Sequence, residues 1–268
     1  MKLVLFCGGL GLRMGPLSES VPKPMITIGD RPILWHIMKY YSGFDVTDFV
    51  FCLGYKADAI KQYFLNYNEA ITNDFVLRNG KQVELLRRDI DDWSMTFVDT
   101  GLNELIGQRL AQVRPHVGRD EMFLATYGDG LTDAPLPDMI ATLAASDAVG
   151  LFLAARPTHN FHLVTFDGQN RVETMLDVTK ADLWVNAGFF VFRREIFDYI
   201  RPGEDLVEEP FHRLIAEGKL IAYPYEGFWA PMDTLKDKQL LETLYASGDA
   251  PWRTSVVQST RTALRSTG

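Results

Sequence analysis

Short hydrophobic runs alternate with stretches of helical periodicity through the first half of the chain. The hydrophobic runs predict β-strands at residues 2–7, 48–53, 95–99 and 122–127. The amphipathic stretches predict helices around residues 32–41, 57–66 and 104–114. Strands and helices that alternate at this spacing are joined by right-handed crossovers. The pattern therefore predicts an α/β fold built on a mostly parallel, doubly wound sheet.

The second half is less regular, because turn residues such as Asp167 and Gly168 interrupt it. Its hydrophobic runs predict strands near residues 149–155, 162–166, 184–192 and 219–224, and its amphipathic stretches predict helices near 208–217 and 234–246. No Pro/Ser-rich linker separates the halves, so we expect a single domain over residues 1–253, with halves of about 1–135 and 136–253. The Ser/Thr-rich residues 254–268 are expected to form a flexible tail.

Composition and charge exclude several classes of partner. A net charge of −8 argues against a nucleic-acid partner, which requires clustered Lys and Arg. The hydrophobic run at residues 2–7 stops at a glycine-rich loop, too early for a signal peptide, and no segment reaches the length of a membrane span. Two cysteines, Cys7 and Cys52, are too few for a disulfide framework. We therefore expect a cytoplasmic protein without nucleic-acid or membrane partners.

A glycine-rich segment directly after the first predicted strand indicates a phosphate-binding loop. The segment consists of Gly8, Gly9, Leu10, Gly11, Leu12, Arg13 and Met14. Glycines let backbone N–H groups approach a triphosphate, and Arg13 and the nearby Lys23 would neutralise its charge. The segment is neither a Walker A loop, which needs Gly-Lys-Ser/Thr, nor a dinucleotide fingerprint, which needs a glycine at position 14. The alternative is an ordinary strand-to-helix turn.

Asp129 stands at the end of an apolar run and is a candidate metal ligand, although an ordinary strand-to-helix turn is an alternative. Asp129 lies between Gly128 and Gly130, where small neighbours leave room for Mg²⁺, which prefers carboxylates, phosphates and water. Asp233 is more than a hundred residues away, and on its own it is typical of a helix N-cap before Thr234 and Leu235. The five histidines lack metal-ligand spacing, so zinc is not expected. No arrangement of Ser, His and Asp suggests a covalent nucleophile.

Several motifs, in order along nearly the whole chain, resemble the sugar-1-phosphate nucleotidyltransferases. The glycine-rich segment and the Pro-Lys-Pro-Met at residues 22–25 resemble the signature of that family. Further segments resemble its glucose-1-phosphate cytidylyltransferase branch: residues 33–41, 98–101, 126–130, 186–190 and 228–235. The resemblance implies a Rossmann-like, doubly wound α/β/α sandwich with a smaller acceptor-side subregion. It also implies a nucleotide-binding half at about residues 1–135 and an acceptor-binding half at about 136–253.

The resemblance also assigns roles to residues. It implies catalytic roles for Arg13 and Lys23, and Mg²⁺ ligation by Asp129 and Asp233. It implies nucleotide contacts for Gly8, Gly9, Leu10, Gly11, Leu12, Arg109 and Gly128. Acceptor contacts are implied for Asn186 and Gly188, although a simple turn before a strand is an alternative for this pair. A solvated helix arginine is likewise the alternative for Arg109.

The implied reaction transfers a nucleoside monophosphate, CMP from CTP, to a phosphorylated sugar-like acceptor and releases pyrophosphate. The enzyme is expected to use Mg²⁺ and to form a homo-oligomer. Two alternatives stay open. The first is the same chemistry with dTTP or UTP, and the second is a non-catalytic homologue that only binds nucleotide.

The sequence departs from the family around the acceptor. Asp177, Val178 and Thr179 replace the family's Glu-Lys-Pro, with Lys180 displaced by about two positions. Asn160-Phe161-His162 replaces an Arg-Phe-Gly, and Leu12 stands where threonine is usual. We therefore predict retained phosphoryl chemistry with altered acceptor recognition, involving His162, Asp177 and Lys180. Glucose 1-phosphate should be a poor acceptor, and a modified sugar, a cyclitol or another phosphorylated metabolite a better one.

Overall fold

The computed structural model describes residues 1–9, 11, 14–15, 21–90, 92–158 and 161–253. Its strands are β1 (Lys2–Phe6), β2 (Thr27–Ile28), β3 (Arg31–Pro32), β4 (Asp48–Leu53), β5 (Phe75–Arg78), β6 (Gln82–Leu85), β7 (Ser94–Asp99), β8 (Met122–Tyr127), β9 (Gly130–Thr132), β10 (Gly150–Ala155), β11 (His162–Phe166), β12 (Val172–Asp177), β13 (Val185–Arg193), β14 (Leu220–Tyr225) and β15 (Trp229–Pro231). Its α-helices are α1 (Ile33–Ser42), α2 (Ala57–Leu65), α3 (Ile106–Gln112), α4 (Leu136–Ala144), α5 (Glu209–Ala216) and α6 (Leu235–Ala246). The predicted tail, 254–268, lies outside the described residues.

A seven-stranded sheet joins strands from both halves of the chain, in the order β14-β10-β13-β8-β1-β4-β7. The strands β8, β1, β4 and β7 pair in parallel, as do β10 and β14. β13 runs antiparallel to both of its neighbours, β8 and β10. The carboxyl ends of the parallel strands therefore lie at one edge of the sheet, where open α/β sheets bind their ligands.

Helices cover both faces of this sheet because its central strands are apolar on both faces. On β1, Leu3 and Leu5 belong to one buried cluster, and Val4 and Phe6 belong to the other. The helices α1, α2, α4 and α6 contribute to the first cluster, and α3 and α5 contribute to the second. Strands buried on both faces read as continuous hydrophobic runs, which is why the sequence revealed them. The predicted doubly wound α/β/α sandwich is confirmed.

Some elements were not anticipated from the sequence. The α4 helix follows Pro135 and carries buried Leu136, Met139 and Leu143, an i, i+3, i+7 pattern that was overlooked. The β5–β6 hairpin is largely exposed on both faces, so it lacks the hydrophobic alternation that identifies a strand. Within the described ranges, no helix is both long and apolar enough to cross a bilayer.

A buried histidine makes the fold sensitive to acid. A ring nitrogen of His36, Nε2, donates to the backbone carbonyl of Ile28 at 2.9 Å, and the ring packs against Tyr245 and Trp252. Burial lowers the pKa of His36 to about 4 and outweighs the opposing hydrogen bond to Ile28. The histidine pKa in the unfolded chain is near 6.5, so between pH 4 and pH 6.5 this residue binds a proton more readily in the unfolded chain than in the folded protein.

The free energy of unfolding should therefore fall as the pH is lowered from about 6.5 towards 4, by about 2 kcal/mol between pH 7 and pH 5 for this residue. Urea unfolding at the two pH values measures the change. Glutamine in His36→Gln keeps a hydrogen-bond donor but does not titrate. Between pH 7 and pH 5 the free energy of unfolding of this variant should therefore fall by about 2 kcal/mol less than that of the wild type. Equal losses in the two proteins would contradict the assignment.

Candidate active site

The chain after β1 passes directly over the Arg109 side chain, which leaves no space for a Cβ at Gly8. A Cβ at Gly8 would lie 2.1 Å from a guanidinium nitrogen of Arg109. Gly11 has a φ of 64°, in the left-handed region that glycine adopts readily. Gly9 and Gly11 line a cavity at the carboxyl edge of the sheet, and their nucleotide contacts stay predictions. Leu10, Leu12 and Arg13 lie outside the described residues, so their roles stay predictions.

Arg109 is buried beneath this loop, with 2% of its surface exposed. Its guanidinium donates to the Thr100 hydroxyl at 2.8 Å and to the backbone carbonyls of Gly8, Leu53, Gly101 and Leu102. These acceptors lie at the ends of β1, β4 and β7, so Arg109 ties three neighbouring strands together. The alternative of a solvated helix arginine is therefore wrong. The predicted nucleotide contact of Arg109 stays a prediction.

Arg109→Met should lower both stability and nucleotide affinity. The change removes five hydrogen bonds made by a buried guanidinium, and we expect a loss of about 2–4 kcal/mol in the free energy of unfolding. The KM for nucleotide should rise because the glycine loop loses its support. Gln108→Ala is a matched control, since its amide donates to the Arg201 carbonyl at the surface. Full stability combined with lost nucleotide binding would instead indicate direct nucleotide contact.

Lys23 joins the two candidate metal ligands. It begins a short, buried helical turn, Lys23–Met25, that follows the glycine loop in the chain. Its Nζ donates to Oδ2 of Asp129 and to Oδ1 of Asp233, both at 2.6 Å. The structure thus brings together three predicted site residues that are 106 and 210 positions apart in the sequence.

A short ribbon fixes the two aspartates relative to each other. Asp129 lies in the turn between β8 and β9, and Asp233 follows β15. β9 and β15 pair antiparallel, with Gly130 opposite Pro231. The N–H of Met232 also donates to the Asp129 carbonyl at 2.8 Å. Backbone hydrogen bonds therefore hold the carboxylates at one place on the carboxyl edge of the sheet.

Asp233 is not the N-cap of the helix that follows it. Thr234 caps α6, and its hydroxyl accepts from the N–H of Asp237. The Asp237 carboxylate in turn accepts from the N–H groups of Thr234 and Asp233. This capping box satisfies the helix terminus without the Asp233 side chain, so the N-cap interpretation of Asp233 is wrong.

The charge of this cluster suits a phosphate and a divalent cation. Burial lowers the pKa of Lys23, but Asp129 and Asp233 favour its charged form more strongly, so the pKa lies above its ordinary value. Lys23 is therefore protonated at neutral pH. Both carboxylates lie 2.6 Å from the Lys23 ammonium. One or two carboxylates together with substrate phosphates are the usual ligands of Mg²⁺. The described residues contain no group of three or more metal-ligating side chains, so substrate oxygens and water would complete the coordination.

Two cavities meet at Asp129 and Tyr127, which line both. The smaller cavity, about 360 Å³, includes Lys23 and Gly128 along with the glycine loop. The larger cavity, about 560 Å³, includes Asp233 and extends towards β13 and the β11–β12 hairpin. The arrangement offers one space for a nucleotide and one for an acceptor, with the charged cluster between them.

Of the residues predicted to contact the acceptor, Asn186 lines the larger cavity. Its Oδ1 also accepts from the N–H of Gly188 at 2.9 Å, as the alternative of a turn implies. Gly188 is buried with a φ of 78°, and a Cβ there would lie 2.1 Å from the Tyr127 ring. Gly188 therefore allows β13 to pass behind Tyr127.

The β11–β12 hairpin places the other predicted acceptor residues beside the cavity. His162 pairs with Asp177 across the hairpin, and the Asp177 carboxylate caps the short turn that follows. Neither residue, nor the exposed Lys180, lines the larger cavity, whereas Leu163 and Val178 do. The acceptor contacts of His162, Asp177 and Lys180 stay predictions.

Sequence reasoning missed the apolar wall of the larger cavity. The wall includes Phe161, Leu163, Leu183 and Trp184. Leu163 and Trp184 fall within predicted strands, Phe161 and Leu183 stand just before them, and hydrophobic pattern alone does not distinguish core positions from a cavity wall. Tyr127 was also missed, although it directly precedes the predicted Gly128-Asp129 motif.

Comparison with known proteins identifies the family of this chain. Residues 2–243 match the family described as Nucleotidyl transferase. The chain is 38% identical over 256 residues to the glucose-1-phosphate cytidylyltransferase of Salmonella typhi, covering 95% of this chain and 99% of that protein. It has the same identity and coverage with the glucose-1-phosphate cytidylyltransferase of Salmonella typhimurium.

The fold is similar to that of the crystal structure of HddC from Yersinia pseudotuberculosis. The TM-score is 0.63 at 17% identity, over 91% of this chain and 99% of that one. At this identity the likeness concerns the fold alone. The sequence matches extend over nearly the whole chain, and the resemblance inferred from the motifs is confirmed. The chain belongs to the nucleotidyl transferase family.

Proposed function

We propose that this nucleotidyltransferase transfers CMP from CTP to a phosphorylated, sugar-like acceptor and releases pyrophosphate. The observation that carries the proposal is the Lys23–Asp129–Asp233 cluster at the junction of two cavities. A reaction between two phosphates needs this arrangement, with one binding space on each side of a charged centre. The similarity to the Salmonella glucose-1-phosphate cytidylyltransferases supports CTP and a sugar 1-phosphate as the substrate types.

The proposed reaction is an in-line displacement at the α-phosphorus of the nucleotide. An oxygen of the acceptor phosphate forms the new P–O bond, and the bond to pyrophosphate breaks. Catalysis of such a step depends on alignment and on stabilisation of charge. Asp129 and Asp233 would hold Mg²⁺, which supplies positive charge to the reacting phosphates. Lys23 would stabilise charge around the α-phosphorus, and Arg13 would stabilise the leaving pyrophosphate.

No covalent intermediate is required. Cys7 lines the smaller cavity, but burial raises the pKa of its thiol well above the ordinary value, so it stays protonated and is a poor nucleophile. An acceptor phosphate is already ionised at pH 7 and needs no strong general base. The geometry therefore favours direct transfer over a two-step mechanism.

Ligand-induced stabilisation tests which nucleoside triphosphate the protein prefers. A nucleotide that binds the folded protein raises its melting temperature through mass action. We expect CTP with Mg²⁺ to raise the melting temperature more than dTTP or UTP does at equal concentration. Stabilisation by dTTP with none by CTP would overturn the choice of CTP and leave the site intact. A purely nucleotide-binding homologue would be stabilised by CTP but would release no pyrophosphate with any acceptor.

The protein is also proposed to form a homo-oligomer. The β5–β6 hairpin exposes Phe75, Leu77 and Val83, and clustered exposed apolar side chains mark interaction surfaces. Light scattering coupled to size-exclusion chromatography measures the state directly. A molar mass equal to one 30.4 kDa chain would refute the proposal.

A further inference from the structure

The larger cavity has an apolar wall as well as a pair of carboxylates. Four side chains of this wall remain 36–52% exposed: Phe161, Leu163, Leu183 and Trp184. Asp129 lies where this cavity meets the smaller one and Asp233 also lines it, whereas none of the four wall residues lines the smaller cavity. Exposed apolar groups gathered around a cavity mark a surface that a ligand covers. The cavity is therefore polarised, with a phosphate-binding end and an apolar end.

The apolar wall is held in place by its surroundings. Val178 is 2% exposed, lines the cavity, and donates its N–H to the Phe161 carbonyl at 2.9 Å. The Arg156 guanidinium lies 3.9 Å from the centre of the Trp184 ring, and Asp182 and Glu226 accept hydrogen bonds from it. The Arg156 guanidinium, which Asp182 and Glu226 hold by hydrogen bonds, therefore stacks on Trp184 and fixes the ring as a contact surface.

Polar groups on this side of the cavity are few among the described residues. The Asn186 carboxamide uses its Oδ1 to accept from Gly188, which leaves its Nδ2 as a donor to a ligand. The Thr158 hydroxyl is a second candidate, since Thr158 lines the cavity. A ligand hydroxyl turned towards the apolar wall would lose water without gaining a partner, and this is unfavourable.

We propose that the acceptor is a sugar-like phosphate with an apolar end, such as a deoxy or O-alkylated carbon, remote from its phosphate. The phosphate lies at the Lys23–Asp129–Asp233 cluster, and the apolar end packs against Phe161, Leu163, Leu183 and Trp184. This inference rests on the proposed function and narrows its acceptor to one chemical class. It also gives a physical reason to expect that fully hydroxylated glucose 1-phosphate is a poor substrate.

The test compares kcat/KM for glucose 1-phosphate with those for its 4-deoxy, 6-deoxy and 6-O-methyl analogues, using CTP and Mg²⁺. At least one analogue should exceed glucose 1-phosphate by about 10–100-fold, the range over which apolar pockets discriminate. Leu163→Ser should remove most of this preference. Phe166→Ser is the matched control, because Phe166 lies on the same strand, is 59% exposed and does not line the cavity.

The outcomes separate this inference from the proposed function. Pyrophosphate release from glucose 1-phosphate at least as efficient as from every analogue would overturn the apolar-acceptor inference and leave the proposed function standing. A preference that survives Leu163→Ser but is lost in Phe166→Ser would also overturn it. Stabilisation by CTP without pyrophosphate release from any acceptor would instead count against the proposed transfer reaction.

Discussion

Replacing Asp129 with alanine should reduce pyrophosphate release to the background rate. The Asp129 and Asp233 carboxylates both contact the Lys23 ammonium, so they lie close enough together to share one metal ion. A metal held by only one carboxylate would be displaced from the reacting phosphates. Asp233→Asn should have a comparable effect, because the amide retains the shape of the side chain but lacks its charge. Steady-state pyrophosphate release with CTP, Mg²⁺ and the best available acceptor measures both variants.

The control for Asp233 is Thr234→Ala. Thr234 caps α6, so this change should cost about 1 kcal/mol of stability and leave turnover close to that of the wild type. If Asp233→Asn behaved like Thr234→Ala, the residue would have only a structural role. A wild-type rate in Asp129→Ala would show that the metal assignment is wrong.

Lys23→Met should lower kcat by roughly 10²–10³-fold, the effect of removing one group that stabilises developing charge. Methionine keeps most of the length of the lysine side chain, but it cannot pair with Asp129 and Asp233. Lys219→Met is the control, since Lys219 pairs with Asp147 near the amino ends of β10 and β14, away from the carboxyl edge. A Lys23→Met protein with normal nucleotide binding and full kcat would exclude Lys23 from catalysis.

The same variant tests how Lys23 affects the carboxylates. In the wild type the Lys23 ammonium lies 2.6 Å from the Asp129 and Asp233 carboxylates, so it competes with a divalent cation for these two ligands. Lys23→Met should therefore bind Mn²⁺ more tightly than the wild type does in the absence of nucleotide. Electron paramagnetic resonance of free Mn²⁺ measures this affinity without any turnover. Unchanged or weaker binding would show that the carboxylates do not form the metal site.

The central strands of the sheet were predictable because they are buried on both faces. Residues 48–53 and 122–127 form continuous apolar runs, and β4 and β8 have those bounds. The antiparallel direction of β13 was not predictable in the same way, because both parallel and antiparallel central strands read as apolar runs. Direction depends on which strands pair, and local sequence does not determine that.

The site was partly predictable for a similar reason. Gly8 directly follows a predicted strand, Asp129 follows another after a single glycine, and the carboxyl ends of such strands meet at one edge. Asp233 follows β15, which was not predicted. The contact of Lys23 with both aspartates was not visible, because it joins residues 106 and 210 positions apart. Arg109 was found through a motif, but its role in tying together the ends of three strands depends on burial and hydrogen bonds that appear only in the folded chain.

Pyrophosphate release, measured with CTP, Mg²⁺ and a panel of sugar 1-phosphates that includes deoxy and O-methyl analogues, tests the central claim most directly. We expect at least one acceptor to give pyrophosphate and a cytidine diphosphate-linked product in equal amounts, and neither product to form with Asp129→Ala. If the wild type releases no more pyrophosphate than Asp129→Ala with every acceptor and nucleotide tested, the protein does not catalyse the transfer.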